Sequence, residues 1–498
     1  MKASTLSLVV LFATLQGTVS NAGQDFLVKL KPGTLNSFRF MKTFSTGDQK
    51  VETLTDEWVH VKSSAASNVR FNNGLTLKQT LQSNEMVEYV QPNYKIKLLE
   101  NYKVNNPYQR SLIAKALESS PSTDAQTDNP PIPNAPTNEK VGIDSDLNKQ
   151  WGMNDIGGKE AWKIHKGNRS MIVAVLDTGT DYTHPDLVAN LWRNPGETGV
   201  DTNGKDKSSN GVDDDNNGYA DDIIGWDMAR NDNKPYDVAV EQLKLIFGGG
   251  NPGHGTHCAG NVAARGNNSI GISGVAPNVQ IMTLRFMDEK GSGTTDGAIK
   301  AIKYAVDNGA KVLSNSWGSE GEDPAEDASN QALKDIIQYA QDHGALFIAA
   351  AGNGHQGVGY DNDTDGKPGY PASYNHDIIV SVAALDSSNK FGSFSNWGVR
   401  SVDLGAPGVK IYSTVVGGGY SDKVVDLPML GIEVFWDGTS MATPHVAGAA
   451  ALYWSAYPEK TWQEVKAALL NNTVAVPELQ GKLVTGGKLN VLKMLEAK

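Results

Sequence analysis

From about residue 145 to the C-terminus, short apolar runs alternate with stretches of helical periodicity. The helical stretches at residues 296–309 and 327–344 end in Asn-Gly and His-Gly, as is typical of a helix C-terminus. Buried strands that alternate with helices indicate a mostly parallel sheet covered by helices on both faces. We therefore predict a three-layer α/β fold for residues 144–498. Its predicted strands occupy residues 171–177, 279–285, 310–316, 345–352 and 377–385.

The first 22 residues have the pattern of a secretory signal. Lys2 supplies the charged start, residues 6–15 form an apolar run too short to span a bilayer, and small residues follow. A buried strand or helix start is the alternative interpretation. A polar stretch begins directly at Asn21, which favours the signal, so we expect a secreted protein, extracellular or, in a Gram-negative host, periplasmic.

Two further segments precede the α/β region. Residues 23–99 predict a small α+β unit, with strands at 25–31, 57–63 and 86–99 and a helix at 75–83. Residues 100–143 are rich in Pro, Ser, Asn and Asp without apolar periodicity, which predicts a linker or processing region.

Charge and composition exclude several classes of protein. The chain carries a formal charge of −12, with +3 on residues 1–140 and −15 on the remainder, so we expect no nucleic-acid partner. Its single cysteine, Cys258, cannot form an intramolecular disulfide. No run of 18 apolar residues occurs, so we expect no membrane span either.

Four glycine-flanked segments carry groups suited to nucleophilic catalysis. Asp177 ends a predicted strand in DTGTDYTHPDL, His254 lies in GHGTHCAG, Asn353 in AAAGN, and Ser440 in GTSMATPHVAG. A serine hydroxyl needs a base to take its proton, and that base needs an acid to orient it. Each residue alone has an ordinary structural explanation, such as a cap, a core histidine or a turn. Their combination favours a hydrolytic site.

In this order, the four segments resemble the subtilisin-like serine proteases over about residues 145–498. The resemblance implies that Asp177 is the orienting acid, His254 the general base and acid, and Ser440 the nucleophile. It implies an oxyanion donor in Asn353. DFLVKLK and VEYVQPNYKI resemble the inhibitor-type propeptide of the same family. That likeness implies that residues 23–99 form a ferredoxin-like intramolecular chaperone and inhibitor, which self-cleavage removes.

The resemblance also implies a groove in which a peptide substrate adds as an extra strand. Trp317 replaces a smaller residue that is common in the family, which indicates either a reshaped outer pocket or plain core packing. A glycine at position 369 would leave room for a large apolar side chain. The implied groove edges and primary pocket comprise Gly291, Ser292, Gly293, Ser316, Trp317, Gly318, Ala351, Gly352 and Gly369.

The acidic stretch at residues 210–227 has the alternate spacing of a calcium loop. Gly218 falls at the sharp turn, but position 12 is Ile224 rather than glutamate, so the last ligand has to come from elsewhere, with Asp222 as a candidate. A solvated acidic loop is the alternative. The predicted ligands are Asp213, Asp215, Asn217, the Tyr219 carbonyl, Asp221 and Asp222.

Family resemblance implies a second calcium site. Its elements are Asp186, the Asn268 side chain and the carbonyls of Ile270 and Ile272, with Asp146 as a further candidate near the mature N-terminus.

The sequence thus predicts a secreted, calcium-stabilised serine endopeptidase, made as a self-processed zymogen and acting as a monomer on peptide substrates. One alternative is a catalytically silent homologue that binds peptides. Another is a calcium-dependent structural protein, which leaves the ordered catalytic segments unexplained.

Overall fold

The computed structural model describes residues 23–33, 48–66, 74–99, 129–137, 141–320 and 330–497, together with Phe40. The predicted signal at 1–22 and most of the predicted linker lie outside these residues. The chain divides into two compact units between Pro92 and Asn93. Residues 93–99, which the sequence groups with the propeptide, belong to the second unit. Within the described part of the chain, no helix has the length and apolar character needed to cross a membrane.

Among its described residues, the first unit has an antiparallel sheet with a helix packed against it. The helix starts at a capping box, in which Thr76 and Gln79 exchange side-chain and backbone hydrogen bonds. Leu77 and Leu81 of the helix join Val28 and Val59 of the sheet in one buried cluster. The strand order is β2-β3-β1-β4. The elements are β1 (Gly23–Leu30), β2 (Gln49–Thr53), β3 (Trp58–Ala66), α1 (Leu77–Gln82) and β4 (Val87–Pro92).

The second unit is built on a nine-stranded sheet of order β20-β21-β15-β14-β12-β10-β6-β8-β7, parallel except for the β20–β21 pair. This confirms the predicted α/β fold. The five apolar runs became its five central strands, and the four outer strands were not predicted. The strands are β6 (Ile172–Asp177), β7 (Gly225–Asp227), β8 (Gln280–Arg285), β10 (Val312–Asn315), β12 (Leu346–Ala350), β14 (Ile379–Leu385), β15 (Leu404–Pro407), β20 (Val474–Ala475) and β21 (Gly487–Lys488).

Helices cover this sheet. Two of them, His254–Ala263 and Thr439–Ala456, pack on each other and on the central strands. Short 3₁₀ turns lie at Val188–Asn190, Lys207–Ser209, Pro428–Leu430 and Pro477–Leu479. The helices are α2 (Trp151–Asp155), α3 (Gly158–Ala161), α4 (Gln242–Gly248), α5 (His254–Ala263), α6 (Thr295–Asp307), α7 (Gln331–Asp342), α8 (Thr439–Ala456), α9 (Trp462–Asn471) and α10 (Val491–Glu496).

A second, smaller sheet of the same unit has the order β13-β11-β5-β9 and is antiparallel throughout. Its strands are β5 (Lys95–Leu98), β9 (Ser292–Thr294), β11 (Trp317–Glu320) and β13 (Gly369–Tyr370). Two hairpins complete the unit, formed by β16 (Ser413–Val415) with β17 (Gly419–Ser421) and by β18 (Lys423–Leu427) with β19 (Ile432–Phe435).

Candidate active site

Asp177 and His254 form a buried pair at the carboxyl end of β6. Oδ1 of Asp177, the last residue of that strand, accepts hydrogen bonds from Nδ1 of His254 (2.8 Å) and from the Thr178 backbone N–H (2.8 Å). His254 begins α5. A Cβ at Gly255 would lie 2.1 Å from the Gly179 carbonyl oxygen, so glycine is required there for the helix to approach the strand.

The surroundings of His254 favour its charged form. Burial disfavours the imidazolium, but the Asp177 carboxylate outweighs this and raises the pKa of His254 well above its ordinary value. The Nε2 atom of the ring is buried and has no hydrogen-bond partner among the described residues. Because Asp177 holds Nδ1, Nε2 is the atom that can take a proton from a substrate or a nucleophile.

Ser440 is the second residue of α8. Its hydroxyl donates to the Ser316 carbonyl oxygen (3.0 Å), so a hydrogen bond to His254 requires the hydroxyl to leave this partner by rotation about χ1. Pro444 has no N–H, and this leaves the Ser440 carbonyl without its normal helical partner. The Ser316 hydroxyl (2.9 Å) and the Cys258 thiol (3.5 Å) donate to that carbonyl instead. Both therefore fix the backbone of the nucleophile.

Asn353 follows β12 and has both ends of its amide engaged. Oδ1 accepts from the backbone N–H and the hydroxyl of Thr439, each at 2.9 Å. This fixes the amide so that Nδ2 donates to the carbonyl oxygen of Leu99 at 2.9 Å. A donor held in this way next to Ser440 is placed to stabilise an oxyanion.

The peptide that reaches this donor is the chain's own strand β5. It pairs with both edges that the family resemblance implies, since Ile96 lies opposite Gly293 and Lys97 opposite Gly318. The Leu98 N–H donates to the Gly291 carbonyl oxygen at 2.9 Å. Residues 95–99 thus lie extended between β9 and β11, with the Leu99 carbonyl at Asn353.

Trp317 contributes only its backbone to this groove edge. Its backbone lies opposite Leu98, while its side chain is fully buried edge-to-face against Phe286 and near Phe347. Of the two interpretations of this tryptophan, core packing is therefore the one that fits its side chain.

The glycines of the predicted pocket are required for a different reason from the one expected. A Cβ at Gly369 would lie 2.4 Å from the Ala351 carbonyl oxygen, and one at Gly352 would lie 2.4 Å from Nδ2 of Asn396. Backbone and side-chain groups of the protein itself occupy these positions. Glycine there permits close packing of the pocket walls rather than adding room for a substrate.

Asp237 is a buried carboxylate that no sequence motif indicated. It accepts hydrogen bonds from the Thr178 hydroxyl (2.9 Å), from Nδ2 of Asn251 (2.6 Å) and from the N–H and hydroxyl of Thr256 (2.8 and 2.6 Å). Oδ1 of Asn251 in turn accepts from the His254 N–H at 2.9 Å. Asp237 therefore ties the strand end that carries Asp177 to the helix that carries His254.

In the acidic loop, the structure brings together Glu197, Asp215 and Asp222, with one oxygen of each within 4.8 Å of the others. Glu197, which was not predicted, accepts the Asp214 N–H with one oxygen, and its other oxygen is buried with no hydrogen-bond partner among the residues that the structure describes. Burial, together with the charge of Asp215, raises the pKa of Asp222 to about 6. Carboxylates crowded in this way suit a hard divalent cation.

The other predicted ligand side chains of this loop make hydrogen bonds within the loop and to the cluster. The carboxylate of Asp213 accepts the N–H groups of Asn217 and Gly218, and that of Asp221 accepts the Gly211 N–H. The amide of Asn217 donates to Asp215 and Asp222, and its Oδ1 accepts the Tyr219 N–H. Glu197 precedes the predicted loop at residues 210–227, so the spacing of acidic residues within that loop could not indicate it as a ligand.

The second predicted calcium site is centred on Asp186, which is fully buried. Its carboxylate accepts Nδ2 of Asn268 (2.6 Å) and the Ile272 N–H (2.9 Å), while Oδ1 of Asn268 accepts the Ile270 N–H. Burial raises the pKa of Asp186 to about 6, and the nearby Asp144 carboxylate adds to the increase.

Asp144 is an acid next to this second site that was not predicted, and Asp146 reaches the same segment through its backbone N–H, which donates to the Gly271 carbonyl oxygen at 2.7 Å. The Asp144 carboxylate accepts the N–H groups of Asn267 and Asn268, whereas the Asp146 carboxylate bonds to Tyr412 and Lys149.

An α/β fold with an Asp–His pair, a helix-start serine and an amide donor over an extended peptide defines a serine peptidase site. Residues 168–488 match the model of the subtilase family, Peptidase_S8, and the chain belongs to that family. The prediction of a subtilisin-like serine endopeptidase is thereby confirmed.

Named relatives are serine proteinases. Thermitase of Thermoactinomyces vulgaris is 33% identical over 348 residues, which cover 70% of this chain and 96% of thermitase. A thermophilic serine proteinase of Bacillus sp. (strain AK1) is 35% identical over 61% of this chain, which spans 57% of that relative. The crystal structure of fervidolysin from Fervidobacterium pennivorans, a keratinolytic enzyme related to subtilisin, matches with a TM-score of 0.62 and 25% identity. That match covers 96% of this chain and 61% of fervidolysin.

Proposed function

We propose that the chain is a secreted, calcium-stabilised endopeptidase that is made as a zymogen and cleaves itself after Leu99. The observation that carries this proposal is the hydrogen bond from Nδ2 of Asn353 to the Leu99 carbonyl oxygen, at the end of a strand held between β9 and β11. A peptide carbonyl in this position is bound as a substrate of the oxyanion donor would be. Residues 95–99 therefore act as both the first substrate and the inhibitor of the groove.

The chemistry follows from the positions of the side chains. The Ser440 hydroxyl attacks the carbonyl carbon of Leu99 as Nε2 of His254 takes its proton, and Nδ2 of Asn353 stabilises the oxyanion. His254 then gives the proton to the departing amine of Glu100, and water hydrolyses the acyl-enzyme by the same route. Asp177 keeps the ring oriented and stabilises its charged form throughout.

Self-cleavage gives the first test. The wild-type chain should yield a fragment that ends at Leu99, and a mature form whose N-terminus at the moment of cleavage is Glu100, because Leu99 is the residue held at Asn353. Ser440→Ala should remain uncut, and Leu99→Asp should slow the cut, since the Leu99 side chain is buried. Intact mass spectrometry of both fragments measures the position.

Lys97→Ala is the matched control, because the Lys97 side chain is exposed on the same strand and its replacement should leave the cut unchanged. In the processed protein, a fluorophosphonate probe should label Ser440. Cleavage of the Ser440→Ala chain by itself, or a processed wild type that the probe does not label, would show that Ser440 is not the nucleophile.

The calcium proposal rests on the cluster of Glu197, Asp215 and Asp222. Within the described part of the chain, one oxygen of Glu197 is buried without a partner, and three carboxylates repel one another in this space unless a cation neutralises them. Bound calcium would supply that charge. Its contribution would be structural, since the loop runs directly into β7 of the main sheet.

Chelation tests this cluster. EGTA should lower the Tm of the processed protein by about 3 °C relative to a calcium concentration roughly one hundred times the dissociation constant. Glu197→Gln should remove most of that difference, because it takes one charge from the cluster. Asp206→Asn, an exposed acid of the same segment, should retain it. An equal response to EGTA in wild type and Glu197→Gln would exclude this cluster as the calcium site.

A further inference from the structure

A short proline-rich segment of the predicted linker lies on the surface of the second unit. It comprises residues 129–133, with the sequence NPPIP, and we call it the strap. The sequence assigned it to a linker or processing region. Its backbone and side chains nevertheless make specific contacts with the body of the same unit, on elements that follow β6 and surround the acidic loop.

Two backbone carbonyls of the strap accept hydrogen bonds from the body. The hydroxyl of Tyr182 donates to the Pro130 carbonyl at 2.7 Å, and the Arg193 guanidinium donates to the Pro133 carbonyl at 2.7 Å. A polyproline II helix has three residues per turn, so carbonyls three residues apart point to the same side. Three prolines in five residues restrict the backbone to this conformation before it binds.

The remaining contacts fix the strap along its length. Ile132 packs on a cluster of Tyr182, Leu191 and Ile224, beside Tyr236, whose ring meets that of Tyr182 edge-to-face at 5.2 Å. At the start of the strap, Nδ2 of Asn129 donates to the Lys234 carbonyl (3.1 Å), and Oδ1 accepts from Arg230 (3.4 Å). An aromatic pair with two donors spaced one turn of a polyproline II helix apart is the chemistry that recognises proline-rich peptides.

We propose that this groove is a binding site for a polyproline II peptide, and that its resident ligand is the strap itself, which stays on the mature enzyme. The mature chain would then begin between residues 100 and 129 and keep the strap as an N-terminal clamp. This placement of the N-terminus rests on the proposed cut after Leu99. The docking of the strap rests instead on its own contacts and does not depend on that cut.

The position of the groove explains why the enzyme would keep the strap. Ile224 lies two residues after Asp222 of the acidic cluster, and Tyr236 precedes Asp237, which ties the Asp177 strand end to the His254 helix. Prolines lose little conformational freedom on docking, so a short segment suffices to hold both loops.

The first experiment locates the mature N-terminus and measures the stabilisation. N-terminal sequencing of the mature wild type should give a first residue between 100 and 129. In the uncut Ser440→Ala chain, Ile132→Asp should lower the Tm by about 2–4 °C, while Ala135→Asp, at an exposed position just beyond the strap, should not. A mature chain that starts beyond 129, or equal Tm values for the two aspartate variants, overturns the proposal.

A second experiment adds the ligand in trans. A synthetic peptide of residues 128–136 should raise the Tm of an uncut chain that lacks residues 129–137, and the same peptide with Asp in place of Ile132 should not. Equal effects of both peptides would also overturn the proposal. If the strap variants behave as expected but no cut occurs after Leu99, the docking site stands and the proposed processing site is wrong.

Discussion

Asp177→Asn should lower kcat by about 10⁴-fold at neutral pH, the size of effect known for the corresponding change in a serine protease triad. Oδ1 of Asp177 accepts from both His254 Nδ1 and the Thr178 N–H, and an amide oxygen could do the same, but the amide lacks the negative charge that stabilises the imidazolium formed on His254. The fold should survive, because the substitution is nearly isosteric. Steady-state kinetics on a small peptide substrate of the processed enzyme measures the loss.

The pH profile separates this electrostatic effect from damage to the fold. His254 must be neutral to act as a base, and the Asp177 carboxylate raises its pKa. Wild-type kcat/KM should therefore rise with pH through a midpoint above the ordinary pKa of histidine, and activity should be lost as the pH falls through it. Without the carboxylate that midpoint should move to lower pH.

Asp307→Asn is a suitable control, since Asp307 is an exposed acid that ends α6 and pairs with Lys303 of the same helix. It should leave both kcat and the pH midpoint unchanged. If Asp177→Asn lowered kcat without moving the midpoint, the carboxylate would not be responsible for the raised pKa of His254.

The five central strands could be predicted from the sequence because both of their faces are apolar and each has four to seven residues. Strands such as β7, β20 and β21 have only two or three residues, and their pairing depends on neighbours that are distant in sequence. Local periodicity carries no signal for such strands. The α/β fold class did not depend on them, which is why it could be predicted without them.

The site shows the same division between local and distant information. Asp177, His254, Asn353 and Ser440 lie in distinctive strings, and the structure places them at the termini of β6, α5, β12 and α8. Glu197 and Asp237 lie in no motif, and each becomes recognisable only when folding buries its carboxylate among donors or other acids.

Residues 95–99 illustrate a third case. Their alternation predicts a strand, but a strand pattern does not say which sheet the strand joins. The structure pairs them with β9 and β11 of the second unit, and this pairing is the reason we propose Leu99 as the residue before the cut.

Asn353→Asp should lower kcat by about 10²–10³-fold with little change in KM, the loss measured for the equivalent donor in subtilisin. The reason is that the Nδ2 donor, which contacts the Leu99 carbonyl oxygen, is needed most when that oxygen becomes charged. Aspartate keeps an oxygen for the N–H and hydroxyl of Thr439, so the start of α8 should stay in place and the Tm should change little.

Asn353→Ala removes both the Nδ2 donor and the Oδ1 acceptor of the amide. Comparing it with Asn353→Asp, which keeps an acceptor, separates the two roles. The kcat of Asn353→Ala should fall by a similar factor, but its Tm should also fall, by about 1–3 °C, because the Thr439 N–H and hydroxyl lose their shared buried acceptor. Self-cleavage after Leu99 should slow in both variants, since the precursor uses the same donor. If Asn353→Asp processed itself and turned over peptides at the wild-type rate, Nδ2 of Asn353 would not be the oxyanion donor, and the backbone N–H groups at the start of α8 would have to suffice.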